Sequence, residues 1–449
     1  MTKFKDVLQN IIIGNRNDFE YYNRVFVVSA YGGVTNFLLE HKKTGQPGIY
    51  EMFVKDKDYN AGLHEVLIKL LEINKKFADL KLNIELADSF ITNRIVQAKN
   101  YLNSLANVLA TGYVNKQNIL LAAREILASI GEAHSAFNSV NIIENQGISS
   151  SFVDLCGFND SDYLTIDERI HESFKNIDYS KTIPIVTGYT KGTEGIMREF
   201  DRGYSEVTFS KIAVELKADE AVIHKEFHLS SADPNIVGLD KSIPVGMTNY
   251  NVADQLADMG MEAIHPKASK PIENAGINIR IKNTFEPEHP GTVISKTYIG
   301  EKSKVEIISG TDQVIAIEVH DPSMVGEVGF DLHIMELFQK YNISYILKST
   351  NANSITQVIW ERDLNKELVK DLKENFQEIT VKEVALVSAL GTNIAQPGIL
   401  AKATASLAEN DINIECLSQS LQQVNMQFVI PRNKYEAGIK ALNDALCVK

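Results

Sequence analysis

Arg202, Gly203, Ser205 and Glu206, within EFDRGYSEVTFSKIAVEL (199–216), set a fixed cation, a residue without a side chain and the start of a helix side by side. The unpaired N–H groups at such a helix end favour an anion, and a glycine lets it approach the backbone closely. An arginine fork holds a carboxylate at two points. An ordinary N-cap by Ser205 beside a solvent-exposed arginine is the competing reading of the same residues.

Three further positions bear on the choice. Ser29 and Thr35 flank the turn that ends RVFVVSAYGGVT, where parallel sheets place their ligands. Glu132 stands in SIGEAHS between Ile130 and Ala133, which look buried. It is either an exposed helix residue or an anchor for an ammonium group. One fixed cation for a carboxylate and one fixed anion for an ammonium describe a zwitterionic amino acid. No histidines gather at metal-ligand spacing, and His265 in IHPK reads as a structural turn residue. No metal ligand set is expected.

The chain that must position these groups has 449 residues, 44% hydrophobic and 23% charged, which points to a globular protein of more than one domain. A formal net charge of -13 argues against a nucleic-acid partner. Cys156, Cys416 and Cys447 form neither a metal motif nor a disulfide framework and read as reduced thiols in a cytoplasmic protein. The apolar run after Asn10 is too short for a signal sequence or a membrane span.

A helix over roughly Lys5 to Ile13 precedes a first strand in Arg24 to Thr35, whose unbroken apolar run predicts burial on both faces of a parallel sheet. From about 60 to 141 apolar residues recur at helical spacing: Leu63, Val66 and Leu70; Ile91, Ile95, Ala98 and Leu102; Ile119, Ala123, Ile126 and Ile130. These stripes read as core packing between long helices. TIPIVTGYT, EAVIHKEF and INIRIKNTF then read as strands alternating with helices, an α/β pattern with a largely parallel sheet. EPEHPGT (286–292) is expected to close this first domain.

The remainder repeats a β-α-β-β-α pattern. GFDLHIMELFQKYNI and GILAKATASLAENDI each run from a glycine (Gly329, Gly398) through a helix to an isoleucine (Ile343, Ile412). The second copy lacks a closing strand, and KVEIIS (304–309) is expected to supply it, one module being inserted in the other.

In order along the chain, VFVVSAYGGVTNFLLE, SIGEAHS, VTGYTKGTEGIMREFDRGYSEVT, SSADPNIVG, AIHPKA and RIKNTFEPEHPGTVIS resemble the aspartate kinases, and the wording is similar to the type associated with ectoine biosynthesis. The resemblance implies an amino acid kinase fold, a mostly parallel sheet between helices with a helical substrate-side block, followed by two α+β ACT modules (βαββαβ). It implies a catalytic domain over 1–300, a first ACT module over 310–380, and a second over 381–449 completed by 304–309.

It also implies the activity: transfer of the γ-phosphoryl of Mg-ATP to the β-carboxylate of L-aspartate, giving 4-phospho-L-aspartate, a first step toward aspartate-family amino acids or ectoine. Arg202 would bind a carboxylate of aspartate and Glu132 its ammonium, with Ser29, Thr35, Tyr189 and Ser205 completing the pocket. Tyr189 replaces the family's usual phenylalanine. Glu206 is a second catalytic candidate beside Arg202. The nucleotide would lie against Thr187, Gly188, Lys225, Glu226, Asp233 and Lys282, and Mg²⁺ would arrive with ATP. In the ACT modules Met324, Val325, Gly326, Asn353 and Ser354 would contact an amino-acid effector, threonine or lysine. The modules would also pair into a homodimer.

Two departures stand against the resemblance. The family opens with a strand and Lys-x-Gly-Gly-Thr-Ser, absent here, and losing one preorganised donor of this kind costs on the order of 3 kcal/mol in the barrier. Either a start placed too late or a catalytically silent, amino-acid-sensing regulatory protein accounts for it, and the intact remainder favours the first. DRGYSE also stands where the family has Gly-Arg-Gly-Gly-Ser-Asp. An enzyme with another acceptor, such as glutamate, is a third expectation, weighed down by the paired ACT modules.

Overall fold

The computed structural model describes residues 3–14, 20–41, 45–200, 203–261 and 264–448. Arg202 lies outside them. The chain divides into two compact units, Met1–Asp219 with Lys270–Ala275, and Glu220–Ser269 with Gly276–Lys449, so the boundary expected near residue 300 falls inside the second.

The first unit is dominated by helices. Short helices α1 (Phe4–Val7, continued by a wider turn to Ile13), α2 (Val34–Leu38) and α3 (Ile49–Val54) lead to three long ones: α4 (Tyr59–Lys75), α5 (Ile84–Thr111) and α6 (Lys116–Glu144). Each long helix starts where a side-chain oxygen accepts an otherwise unpaired N–H: Asp58 from Ala61, Asn83 from Leu86, Asn115 from Gln117. Their apolar stripes, including Leu63, Leu70, Ile91, Leu102, Ala123 and Ile130, meet in one core. Helices α7 (Ile166–Phe174), α8 (Ile196–Phe200) and α9 (Tyr204–Glu215) complete the unit, α7 opening with a reciprocal Thr165–Glu168 capping box.

Its sheet is parallel, in the order β1 (Phe26–Val28), β3 (Ile183–Thr187), β2 (Ser150–Val153). The central β3 is wholly buried. The long first strand expected over Arg24 to Thr35 is shorter and half-buried: among the described residues β1 has a neighbour on one side only, and Val34 and Thr35 already belong to α2.

In the second unit β4 (Glu220–Lys225) and β6 (Asn278–Asn283) are parallel, and β7 (Thr292–Ile294) runs antiparallel to β6 and parallel to β5 (Met247–Thr248), giving the order β4-β6-β7-β5. The proline- and glycine-rich 286–292 stretch is the reason: it turns the chain back, so β7 reverses into the same sheet. The alternation in sequence is thus spread over two sheets. Helices α10 (Pro234–Val237), α11 (Tyr250–Asp258) and α12 (Pro266–Asn274) lie between these strands in the sequence.

A six-stranded antiparallel sheet follows, in the order β12 (Cys416–Ser418), β13 (Asn425–Pro431), β11 (Glu378–Leu390), β8 (Ile307–His320), β10 (Ser354–Trp360), β9 (Leu347–Thr350). The long pair β8 and β11 is joined along its whole length, from Leu390 opposite Ile307 to Glu378 opposite His320, with a register shift near Ala385. Helices α13 (Phe330–Lys340) and α14 (Lys366–Asn375) pack with Ile315, Ile317 and Val319 in one core. Helices α15 (Ile399–Glu409) and α16 (Tyr435–Leu446) pack with Ile308, Val387 and Phe428 in another. Among the described residues no helix is long and apolar enough to cross a membrane.

Candidate substrate-binding site

The middle of α6, from Leu127 to Ala136, is buried on every side. A helix so enclosed is normally apolar. This one instead buries Ser129, Glu132, His134, Ser135, Asn138 and Ser139. Gly131 explains how the loop after β1 comes so near: a side chain there would sit 2.8 Å from Ala30 Cβ and 2.9 Å from Val34 Cγ1.

Glu132 is 2% exposed. Its Oε1 accepts the Ser205 hydroxyl from α9, and its Oε2 is buried with no hydrogen-bond partner among the described residues. Burial pushes its carboxyl up to about 8, opposed by the Ser205 hydrogen bond. Among the described residues no cationic side chain pairs with this carboxylate, and an ammonium group would supply both a charge and a donor for Oε2.

Gly188, at the end of β3, makes the approach possible. A Cβ on it would lie 2.7 Å from Ser205 Cβ and 2.9 Å from Glu132 Oε2. This glycine, expected on the nucleotide side, is therefore required by the Glu132–Ser205 contact. Thr187 is wholly buried, its hydroxyl donating to Tyr189 C=O (2.9 Å) and accepting from Leu155 N–H (3.0 Å), so its polar capacity goes to shaping the strand end.

Ser205 does not act as the N-cap. Helix α9 begins at Tyr204 after Gly203, which is left-handed at φ 92°, and no side chain caps it. Ser205 sits at the second helical position, which frees its hydroxyl for Glu132. The N-cap reading of Ser205 is overturned on this point. Glu206 follows in the first turn of α9, half-buried.

Ser29 is exposed just past β1, and its carbonyl accepts the Ser135 hydroxyl at 2.8 Å, tying the β1 turn to α6 three residues beyond Glu132. Thr35 is half-buried in α2. Tyr189 is buried, packs edge-on to Tyr204 with centroids 6.1 Å apart, and donates its hydroxyl to Glu125 Oε2 at 2.6 Å. Behind Glu132 lies a polar cluster that the sequence does not announce: His134 Nε2 and Asn138 Nδ2 each lie 2.7 Å from Asn74 Oδ1. Burial drives His134 down to about 3, so it is neutral.

In the second unit, Lys225 ends β4 and Lys282 lies beside it on β6, since His224 is opposite Lys282 and Lys225 opposite Asn283. Lys282 Nζ donates to Pro287 C=O at 2.7 Å, and Glu226 is exposed. Asp233 caps the short α10 through Asn235 N–H (2.9 Å) and lines a cavity of about 190 Å³ with Met259, Ser309, Tyr435 and Ile439. Lys225 and Lys282 do not line it. Among the effector candidates, Asn353 C=O accepts Asp321 N–H at 2.9 Å, Ser354 is paired opposite His320, Met324 is buried, and Val325 and Gly326 lie on the surface after it. The structure thus draws Asn353 and Ser354 to the turn that leads to Met324.

Residues 4–283 match the amino acid kinase family and residues 387–446 an ACT domain. The chain belongs to the amino acid kinase family. It is 45% identical to the aspartate kinase Ask_Ect of Stutzerimonas stutzeri strain A1501, over 99% of this chain and 95% of that one. Its fold matches Clostridium acetobutylicum aspartate kinase at a TM-score of 0.70 and 20% identity, over 94% of this chain and 93% of that one. Escherichia coli aspartokinase III, solved with aspartate and ADP, matches at 0.66 and 18%, over 94% and 92%.

Proposed function

We propose that this protein is an aspartate kinase, phosphorylating the β-carboxylate of L-aspartate at the expense of ATP. The observation that carries the substrate is the buried Oε2 of Glu132, which has no hydrogen-bond partner among the described residues. It fits the α-ammonium of an amino acid, with Ser205 holding the other oxygen in place. The 45% identity to an aspartate kinase over nearly the whole chain supports aspartate as that amino acid. Arg202, outside the described residues, is assigned a substrate carboxylate by the resemblance of its segment.

A β-carboxylate oxygen attacks the γ-phosphorus as the bond to the ADP oxygen breaks, giving an acyl phosphate. The chain supplies positioning and positive charge rather than a covalent nucleophile. Lys225 and Lys282 stand near the carboxyl ends of β4 and β6, one register step apart and so on opposite faces of the sheet, and their assignment to the nucleotide phosphates rests on the resemblance of their segments. Among the described residues no three His, Cys, Asp or Glu side chains gather to hold a metal. Mg²⁺ arriving with ATP, held mostly by its phosphates and water, would neutralise charge on the transferring group. Met324–Gly326 with Asn353 and Ser354 are assigned to an amino-acid effector, threonine or lysine. A cytoplasmic homodimer paired through its ACT modules completes the reading.

Trapping the acyl phosphate as a hydroxamate, with Mg-ATP and aspartate, tests it. Hydroxamate should form with aspartate and not with glutamate. A folded protein that binds aspartate and forms none would be the amino-acid sensor instead.

A further inference from the structure

Helix α6 carries a second carboxylate that the proposed chemistry leaves unused. Glu125 precedes Glu132 by seven residues, two turns along the same face and about 10 Å away along the axis. It is part-buried, and both its oxygens are engaged: Oε2 accepts the Tyr189 hydroxyl at 2.6 Å and Oε1 accepts the Met197 N–H at 2.8 Å. One carboxylate thereby ties the residue after Gly188 to the first turn of α8.

The chain between those two points is held at other places as well. Thr190 shares a hydrogen bond with Thr208 of α9 (3.0 Å), Thr193 N–H donates to Leu164 C=O (3.0 Å), and Ile166 N–H donates to Glu194 (3.1 Å). At one end of this segment stands Gly188, against which Ser205 and Glu132 close. From the other end α8 leads toward Gly203 and the start of α9.

We propose that Glu125 is a positioning residue for the amino-acid substrate: by gripping Tyr189 and Met197 it fixes the turn that sets Ser205 against Glu132. It touches no reacting atom. The proposal rests on the reading that Glu132 receives the substrate ammonium.

The test is steady-state kinetics on E125Q, Y189F, the double variant and E132Q, with melting temperatures for all four. E125Q keeps the side-chain volume but cannot accept both hydrogen bonds. It should raise KM for aspartate about tenfold while kcat and KM for ATP stay within about twofold, since a misplaced binding group weakens substrate binding selectively. Y189F, which loses only a hydroxyl, should give a smaller rise. The double variant should be no worse than E125Q, because both changes break one shared contact. An aspartate KM within twofold of the parent in E125Q overturns the proposal. So does a uniform loss of kcat and both KM values that tracks the melting temperature. If E132Q abolishes aspartate binding while E125Q changes nothing, only the positioning role of Glu125 fails. If E132Q binds aspartate normally, the substrate site itself is misassigned and the proposal falls with it.

Discussion

Two buried glutamates in this protein have opposite circumstances. Glu306 is 8% exposed, and both its oxygens are used: Oε1 accepts the Thr392 hydroxyl at 2.5 Å and Oε2 the Thr248 hydroxyl at 3.0 Å. Glu132 is still more deeply buried, yet among the described residues its Oε2 has no hydrogen-bond partner. A buried polar group that is fully satisfied holds its neighbours in place, whereas one left open costs free energy in the ligand-free state. The contrast separates an architectural carboxylate from one kept for a ligand.

The largest effect should come from Glu132. E132Q should lower kcat/KM for aspartate on the order of 100- to 1000-fold, since it removes the charge that faces the ammonium. Its melting temperature near neutral pH should stay level, because the ligand-free carboxyl is already protonated and a neutral amide of the same size takes its place. Steady-state kinetics and calorimetry of the same sample check both. A loss of activity accompanied by a large fall in stability would erase the distinction from Glu306.

Next comes pH. With its carboxyl raised to about 8, ligand-free Glu132 is protonated at neutral pH and must ionise to receive an ammonium. Aspartate binding should release up to one proton near pH 7, and affinity should rise up to about tenfold per pH unit until about pH 8. The stability associated with this group runs the other way. The contribution is full below about 4.5 and declines as pH climbs through about 8, because the unfolded chain ionises first. Titration calorimetry in buffers of different ionisation enthalpy measures the proton release, and unfolding followed across the same pH range measures the stability, with E132Q as the flat reference.

E306A should do the reverse of E132Q, costing about 1–3 kcal/mol of stability by stranding two threonine hydroxyls while leaving KM for aspartate within about twofold. Urea unfolding and kinetics together decide it. The smallest effect should be that of S205A, about 1 kcal/mol in aspartate binding, since Ser205 orients Glu132 without carrying charge. An effect as large as that of E132Q would place Ser205 on the substrate itself.

Much of this arrangement can be read from residue patterns, but unevenly. Gly329 and Gly398 mark repeated helix starts in the sequence, and both turn out to be left-handed N-caps, at φ 100° and 94°. The three long helices follow their apolar spacing because burial stripes are local. The direction of β7 is not local: alternation of strands and helices gives no sign that a proline-rich turn reverses the chain into the same sheet. Within the site, a carboxylate on a buried helix marks Glu132. The partners are harder to read. Whether Ser205 caps the helix or faces Glu132 depends on a two-residue difference in where α9 begins. Gly188 draws its necessity from a side chain 56 positions earlier, and Glu125 finds Tyr189 across 64 positions. Contacts of that kind leave no periodicity behind.

Strand β8 has one further consequence. Its Ile307–Ser309 end pairs with Ser388–Leu390, while its Val314–His320 end lies between β10 and β11. At about 3.4 Å per residue its fourteen residues form a beam nearly 50 Å long, common to both hydrophobic cores. No single cut between the two repeats can therefore yield two self-sufficient fragments. Severed before β11, the upstream piece loses the companion of β8, and the downstream piece loses the edge that β11 leans on. The C-terminal region should melt in one step and resist being divided, however clearly its sequence reads as two halves.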